Sequence, residues 1–201
     1  MDMIPFPSIM AATIDWHFVT ITEGFPSPFT GDEQTADMPG AARWLAVVTM
    51  PKLQRLEARH VEAFLIACNG QAGRFYMANQ ARQTPLGNPL GTPVVDGADN
   101  YGGLLATRGW TPNTAGILLI GDYCAVGDEV KMILADADSD AYGKAQLVFG
   151  PNLRNVPADG TAIVTTAPKG VFKLLDDNQA KFAYRKQTGD YQFTCVETWL
   201  T

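Results

Sequence analysis

The sequence predicts a mainly β protein with one packed α-helix, an α+β fold in which a split β-sheet or barrel carries the helix and an inserted small β-module. Residues 52–69 form the one long stretch whose apolar side chains recur at helical spacing. Around it run short β-branched or alternating stretches separated by turns, for which 19 glycines and 13 prolines provide. The final stretch, YQFTCVETWL, alternates as cleanly as the first, IDWHFVTIT, so it is expected to close the same sheet. A hydrophobic content of 46% against 18% charged residues supports a packed core and excludes general disorder.

Along the chain, residues 14–22 read as a strand. Residues 23–40 are crowded with Gly, Pro and Asp, too long for a tight hairpin turn, and are expected as a loop linking two strands. Phe25 and Phe29 sit in it; aromatics on such a loop either tuck beneath it or meet a partner. After a strand at 43–50, Pro51 suits a helix entrance, where its missing N–H costs nothing. Leu53, Leu56, Val61, Phe64, Leu65 and Cys68 make the apolar helix face, and Lys52, Arg55, Arg59 and Glu62 fall largely opposite. Asn69–Gly70 supplies a left-handed stop before an aromatic strand at 73–77. The pattern lapses over 78–92. Short strands follow at 115–120, 123–126, 129–135, 145–149 and 161–165, spaced as in a small barrel or a sandwich. Three more strands close the chain at 171–175, 180–187 and 191–200. The expected organisation is a host domain of residues 1–90 plus 168–201, with an inserted module at 91–167.

The net charge is −6, and the 15 Lys and Arg are scattered. The densest basic stretch, Lys52, Arg55, Arg59 and His60, is interleaved with Glu57 and Glu62, which reads as a solvated helix face. Sequence-specific nucleic-acid binding, which neutralises phosphates with clustered cations, is therefore not expected. The three cysteines, Cys68, Cys124 and Cys195, are odd in number and lack CxxC spacing, so they read as buried inert thiols of a reducing compartment. The opening MDMIPFPSIM has no basic region and two early prolines, unlike a signal peptide, and no apolar run approaches the ~20 residues of a membrane span. A soluble protein made in the cytoplasm and not secreted is expected.

Motifs for chemistry are sparse. Asp136, Asp138 and Asp140 alternate as a hard cation would require, but Ala141 stands where the loop needs glycine and Leu147 where it needs a bidentate glutamate. An ordinary hairpin turn is the reading taken. His17 and His60 lie apart and in no HExxH; nucleophile elbows and phosphate- or dinucleotide-binding glycine motifs are absent. No catalytic residue, cofactor-binding residue or metal ligand is assigned, and no cofactor. Of the four tryptophans, Trp16, Trp44 and Trp199 fall in strands and are expected in the core. Trp110, in the loop-like TRGWTP, is the expected contact residue.

Two stretches carry a family resemblance. Residues 43–73, a strand ending VTMP, then LQRLEARHVEAFLIACNGQAG and an aromatic strand, resemble the sheet-plus-helix core of the distal tail proteins of long-tailed bacteriophages. Residues 121–161, with a GD entry, an Asp-rich hairpin and an exit through Pro151, Leu153, Arg154 and Pro157–Ala158–Asp159–Gly160–Thr161, resemble the small β-module of tail proteins of similar length. The resemblance implies a virion protein of the tail tip, made in the bacterial cytoplasm. It implies a homo-oligomeric, commonly hexameric, ring joining the tail tube protein to the baseplate hub or central fibre protein. It implies an OB-like barrel or related small β-fold for the inserted module, and it transfers no catalytic residues. Phe25 and Phe29 are then the candidate ring or partner contacts.

Two other classes stay open at this level. One is a carbohydrate- or receptor-binding module, with Trp110 against a host-surface glycan. The other is a hydrolase whose carboxylates no spacing singles out.

Overall fold

The computed structural model describes residues 3–9, 13–98, 100–184 and 188–198. Trp199 and parts of the last two expected strands lie outside the described residues. In chain order the elements are β1 (Thr13–Val19), β2 (Thr22–Pro26), β3 (Glu33–Asp37), β4 (Arg43–Gln54), α1 (Arg55–Cys68), β5 (Phe75–Ala78), β6 (Gly91–Val95) and β7 (Gly102–Trp110). There follow β8 (Tyr123–Val126), β9 (Glu129–Ile133), β10 (Lys144–Leu153), β11 (Ile163–Val164), β12 (Lys169–Leu174), β13 (Ala183–Tyr184) and β14 (Thr188–Glu197). Among the described residues strand accounts for 46% and helix, two short 3-10 turns included, for 10%, a mainly β fold with one α-helix.

The first sheet has the order β1-β4-β14-β12-β5, with β13 beside β14. Strands far apart in sequence meet within it, where β14 pairs with β4 from Thr188↔Gln54 to Val196↔Leu45. Register places Trp44, Ala46, Val48 and Met50 on one face with Tyr191, Phe193, Cys195 and Glu197. The same face receives Phe172 and Leu174 from β12 and Phe75 and Met77 from β5. The period-2 alternation of these strands thus builds a single apolar surface. The sheet is curled: Trp16 on β1 meets Phe172 on β12 edge-on at 5.5 Å between ring centroids, across three strand spacings of about 4.8 Å each.

Helix α1 covers one end of this face. It buries Ala58, Val61, Phe64, Leu65 and Cys68, and Phe64 packs against Phe75 and Phe193 at 5.0 and 6.0 Å. The helix starts later than the sequence suggests. Pro51 belongs to β4, not to a helix entrance, and the start is set by a reciprocal capping box between Gln54 and Glu57. Leu53 is buried from the strand, and Leu56 is 68% exposed, so neither belongs to the buried helix face. The stop falls where expected, with Asn69 left-handed at φ 45°.

The second sheet, β11-β8-β9-β10-β7-β6, draws its strands from residues 91–164 and is nearly closed. Its two edges meet through a Val94↔Ala162 bridge, with Val95 N donating to Thr161 O at 2.9 Å and Gly160 N to Val95 O at 3.0 Å. A separate core of Val95, Leu105, Trp110, Ile117, Leu118, Cys124, Ile133, Leu147 and Phe149 fills it. Three expectations are corrected here. Residues 115–120 form turns, with Ile117 and Leu118 buried and one bridge from Leu118 to Ala137. Residues 102–110, unassigned or read as loop, form the long strand β7. Glycines disguise it: Gly109 has φ 88°, and a Cβ there would lie 2.4 Å from Thr92 O on the neighbouring strand. Residues 22–37 are an ordered hairpin, β2 paired with β3 from Thr22↔Asp37 to Pro26↔Glu33, where a loop was expected.

Candidate functional site

The most elaborate polar arrangement lies where the barrel abuts the first sheet, on the same apolar face that α1 covers elsewhere. Glu197, at the end of β14, is fully buried. Its Oε1 accepts the Val130 N–H at 3.0 Å from β9, and its Oε2 accepts the Trp44 N–H at 3.4 Å from β4. The Arg154 guanidinium, just beyond β10, donates to the same Oε2 and to Ala42 O at 3.4 Å. Trp44 Nε1 returns a bond to Val130 O at 3.0 Å. A second buried pair supports the first. Lys131, with no exposed side-chain surface, donates to Glu129 Oε2 at 2.6 Å and to Asn152 O at 2.9 Å. Glu129 also accepts the backbone N–H groups of Arg154 and Asn155, which fixes the segment that presents Arg154. Burial pushes the Lys131 ammonium below the usual lysine range, and the adjacent Glu129 carboxylate opposes that push.

Backbone contacts complete the junction. Val171 N on β12 donates to Asp128 O at 3.0 Å, and Tyr76 on β5 donates its hydroxyl to Asp128 Oδ1 at 2.9 Å. Gly170 allows this approach, since a Cβ there would stand 2.9 Å from Val130 Cγ2. The four charged side chains thus bond to one another and to backbone groups of both sheets. Chemically this is a clamp that orients two β-bodies. One part of it was legible. Glu197 stands in the inward phase of the alternating YQFTCVE, where a charge requires a buried partner. Nothing in the local sequence names Arg154 as that partner.

The residues singled out from sequence are dispersed. Phe25 lies on β2 and is 57% exposed; Phe29 lies in the hairpin turn and is 95% exposed. Trp110 does not fit a surface contact: it ends β7 at 3% exposure, and its Nε1 donates to Thr107 Oγ1 at 2.8 Å. The three aspartates serve turns. Asp136 accepts Ile120 N, Asp138 accepts Gly116 N, and Asp140 accepts Tyr142 N and Lys144 N. Among the described residues no group of three His, Cys, Asp or Glu side chains has the spacing to hold a metal ion. All three thiols are free and buried, and burial raises Cys68 to about 11 and Cys124 to about 12, far from a reactive thiolate. No described helix is long and apolar enough to cross a membrane.

Compared with known proteins, the chain matches no family model and no curated relative.

Proposed function

We propose that the chain is a structural protein of the tail tip of a long-tailed bacteriophage, a ring-forming adaptor between the tail tube and the baseplate hub or central fibre, without catalytic activity. The observation that carries the reading is the buried clamp of Glu129, Lys131, Arg154 and Glu197 at the junction of sheet and barrel. An adaptor must hold its two bodies at a set angle under load, and a buried ion network is directional where apolar packing is not. The exposed hairpin with Phe25 and Phe29 supports it further, as an arm available to a neighbouring subunit. The resemblance of residues 43–73 and 121–161 to distal tail proteins supports this reading, and rings in that family are commonly hexameric.

The test has two arms: light scattering with negative-stain images of the purified chain, and immunogold labelling of intact particles. Rings of about six subunits and label at the tail tip are expected. A protein absent from the particle overturns the proposal. The glycan-binding alternative places the receptor contact on the 91–167 module, and burial of Trp110 argues against that side chain as the contact.

A further inference from the structure

The whole net charge of the protein resides in its N-terminal part. Residues 1–42 carry six carboxylates and no lysine or arginine, and the rest of the chain carries 15 of each sign. Four of the six, Glu23, Asp32, Glu33 and Asp37, lie on the β2–β3 hairpin beside Phe25 and Phe29. The hairpin is therefore an acidic arm with an aromatic tip.

A surface of opposite character lies on α1. Arg55 and Arg59 form no ion pair among the described residues, because the two helix carboxylates are engaged elsewhere. Glu57 accepts the Gln54 N–H at 3.0 Å, and Glu62 accepts the Tyr191 hydroxyl at 2.5 Å. At 100° per residue, Arg55, Leu56, Arg59, Ala63 and Ile66 share the outer face, and Leu56 and Ile66 are exposed. Beside it runs a groove of about 440 Å³ lined by Ile4, Phe6, Ile9, His60, Ala63 and Ala67.

The arm does not cover this surface in its own molecule, where Phe29, Leu56 and Ile66 are all exposed. It springs from the Arg43 end of β4, where Val19 pairs with Arg43, and the helix follows the other end. Resting on the ring-forming reading above, we infer that the β2–β3 arm of one copy docks on the outer face of α1 of a second copy. Phe29 enters the groove beside Ala63 and Ala67, and the arm's carboxylates face Arg55 and Arg59. The contact joins different patches and is heterologous, as a closed ring requires.

The test places p-benzoylphenylalanine at position 29 of the full chain and irradiates it with an isotopically heavy copy. The expected product is an intermolecular cross-link from position 29 to residues 56–67. Its yield should fall about tenfold in R55E/R59E and recover when D32K/E33K is introduced as well. Thermal melts of both variants check that they are folded. Cross-links confined to one chain, directed elsewhere or absent overturn the docking. An oligomer by light scattering without the 29-to-helix product overturns the docking and leaves the ring standing. The product in open chains that never close keeps the docking and overturns the ring.

Discussion

Arg154 and Glu197 form a buried ion pair that fastens the barrel to the last strand of the first sheet, with side-chain exposures of 6% and 0%. The partners come from opposite sides of the junction and are 43 residues apart in sequence. Because Glu197 also receives backbone N–H groups from β4 and β9, its carboxylate stands where three segments converge.

Removing one member of such a pair leaves the other charge in a dry site. Glu197→Ala is expected to destabilise the protein by roughly 3–5 kcal/mol. Replacing both, as in R154M/E197Q, should recover much of that loss, because no charge then stays buried without its partner. Urea unfolding of the single and double variants checks this. Equal losses in both would show that the carboxylate acts through its backbone bonds and not through the pair.

Gly170 sits where β12 meets the barrel, and an added methyl would press on Val130 Cγ2 at 2.9 Å. Gly170→Ala should cost about 1–3 kcal/mol through this overpacking. The accompanying Val130→Ala is expected to restore part of it by vacating the space. Thermal melts of the three proteins measure the effect.

Trp110 fills the barrel core, so Trp110→Ala should lower stability by roughly 3–5 kcal/mol. Trp110→Phe should cost less, the main losses being ring volume and the bond to Thr107. Phe29→Ala, at a side chain almost fully in solvent in the single subunit, should change the stability of the separated subunit by no more than about 0.5 kcal/mol. Parallel denaturation curves separate the core aromatic from the surface one.

The barrel seam carries an acid-sensitive bridge. Arg108 donates to Asp159, which also accepts Gly97 N at 2.8 Å, and the carboxyl is held down to about 2, chiefly by the guanidinium bond. Asp96 is lowered too, first by Lys144 and then by Arg108. The folded value lies below the unfolded one, so the bridge's contribution is fully present above about pH 4 and is lost as pH falls through about 2. Carboxyl NMR titration should place Asp159 near 2, and Arg108→Gln should return it to the ordinary carboxylate range. An unmoved titration in that variant would assign the shift to the Gly97 N–H instead.

Much of this fold is readable along the chain because its causes are local. The apolar positions at helical spacing place α1, Asn69 ends it, and the alternating Tyr191, Phe193, Cys195 and Glu197 place β14. Reading failed where a local signal has two uses. Pro51 fits a helix start or a strand end, and the pairing of β14 with β4 past Met50 selects the strand. Glycine usually interrupts strands, yet Gly109 belongs to one because a neighbouring backbone needs the space of its missing side chain. Apolar residues 115–120 have the composition of a strand, but their backbone groups bond to turn carboxylates, Asp136 and Asp138 among them.

Composition and periodicity alone determine that this is a mainly β protein with one helix, that its cysteines are buried, and that Phe25 and Phe29 stand on a polar segment. These follow from each residue's own preference for water and for backbone geometry. Only tertiary structure decides that Trp110 is core, that the polar segment is a hairpin arm, and that Glu197 faces Arg154 across a junction. Such facts depend on which distant segments touch, and a buried charge acquires its partner only when the chain has closed around it.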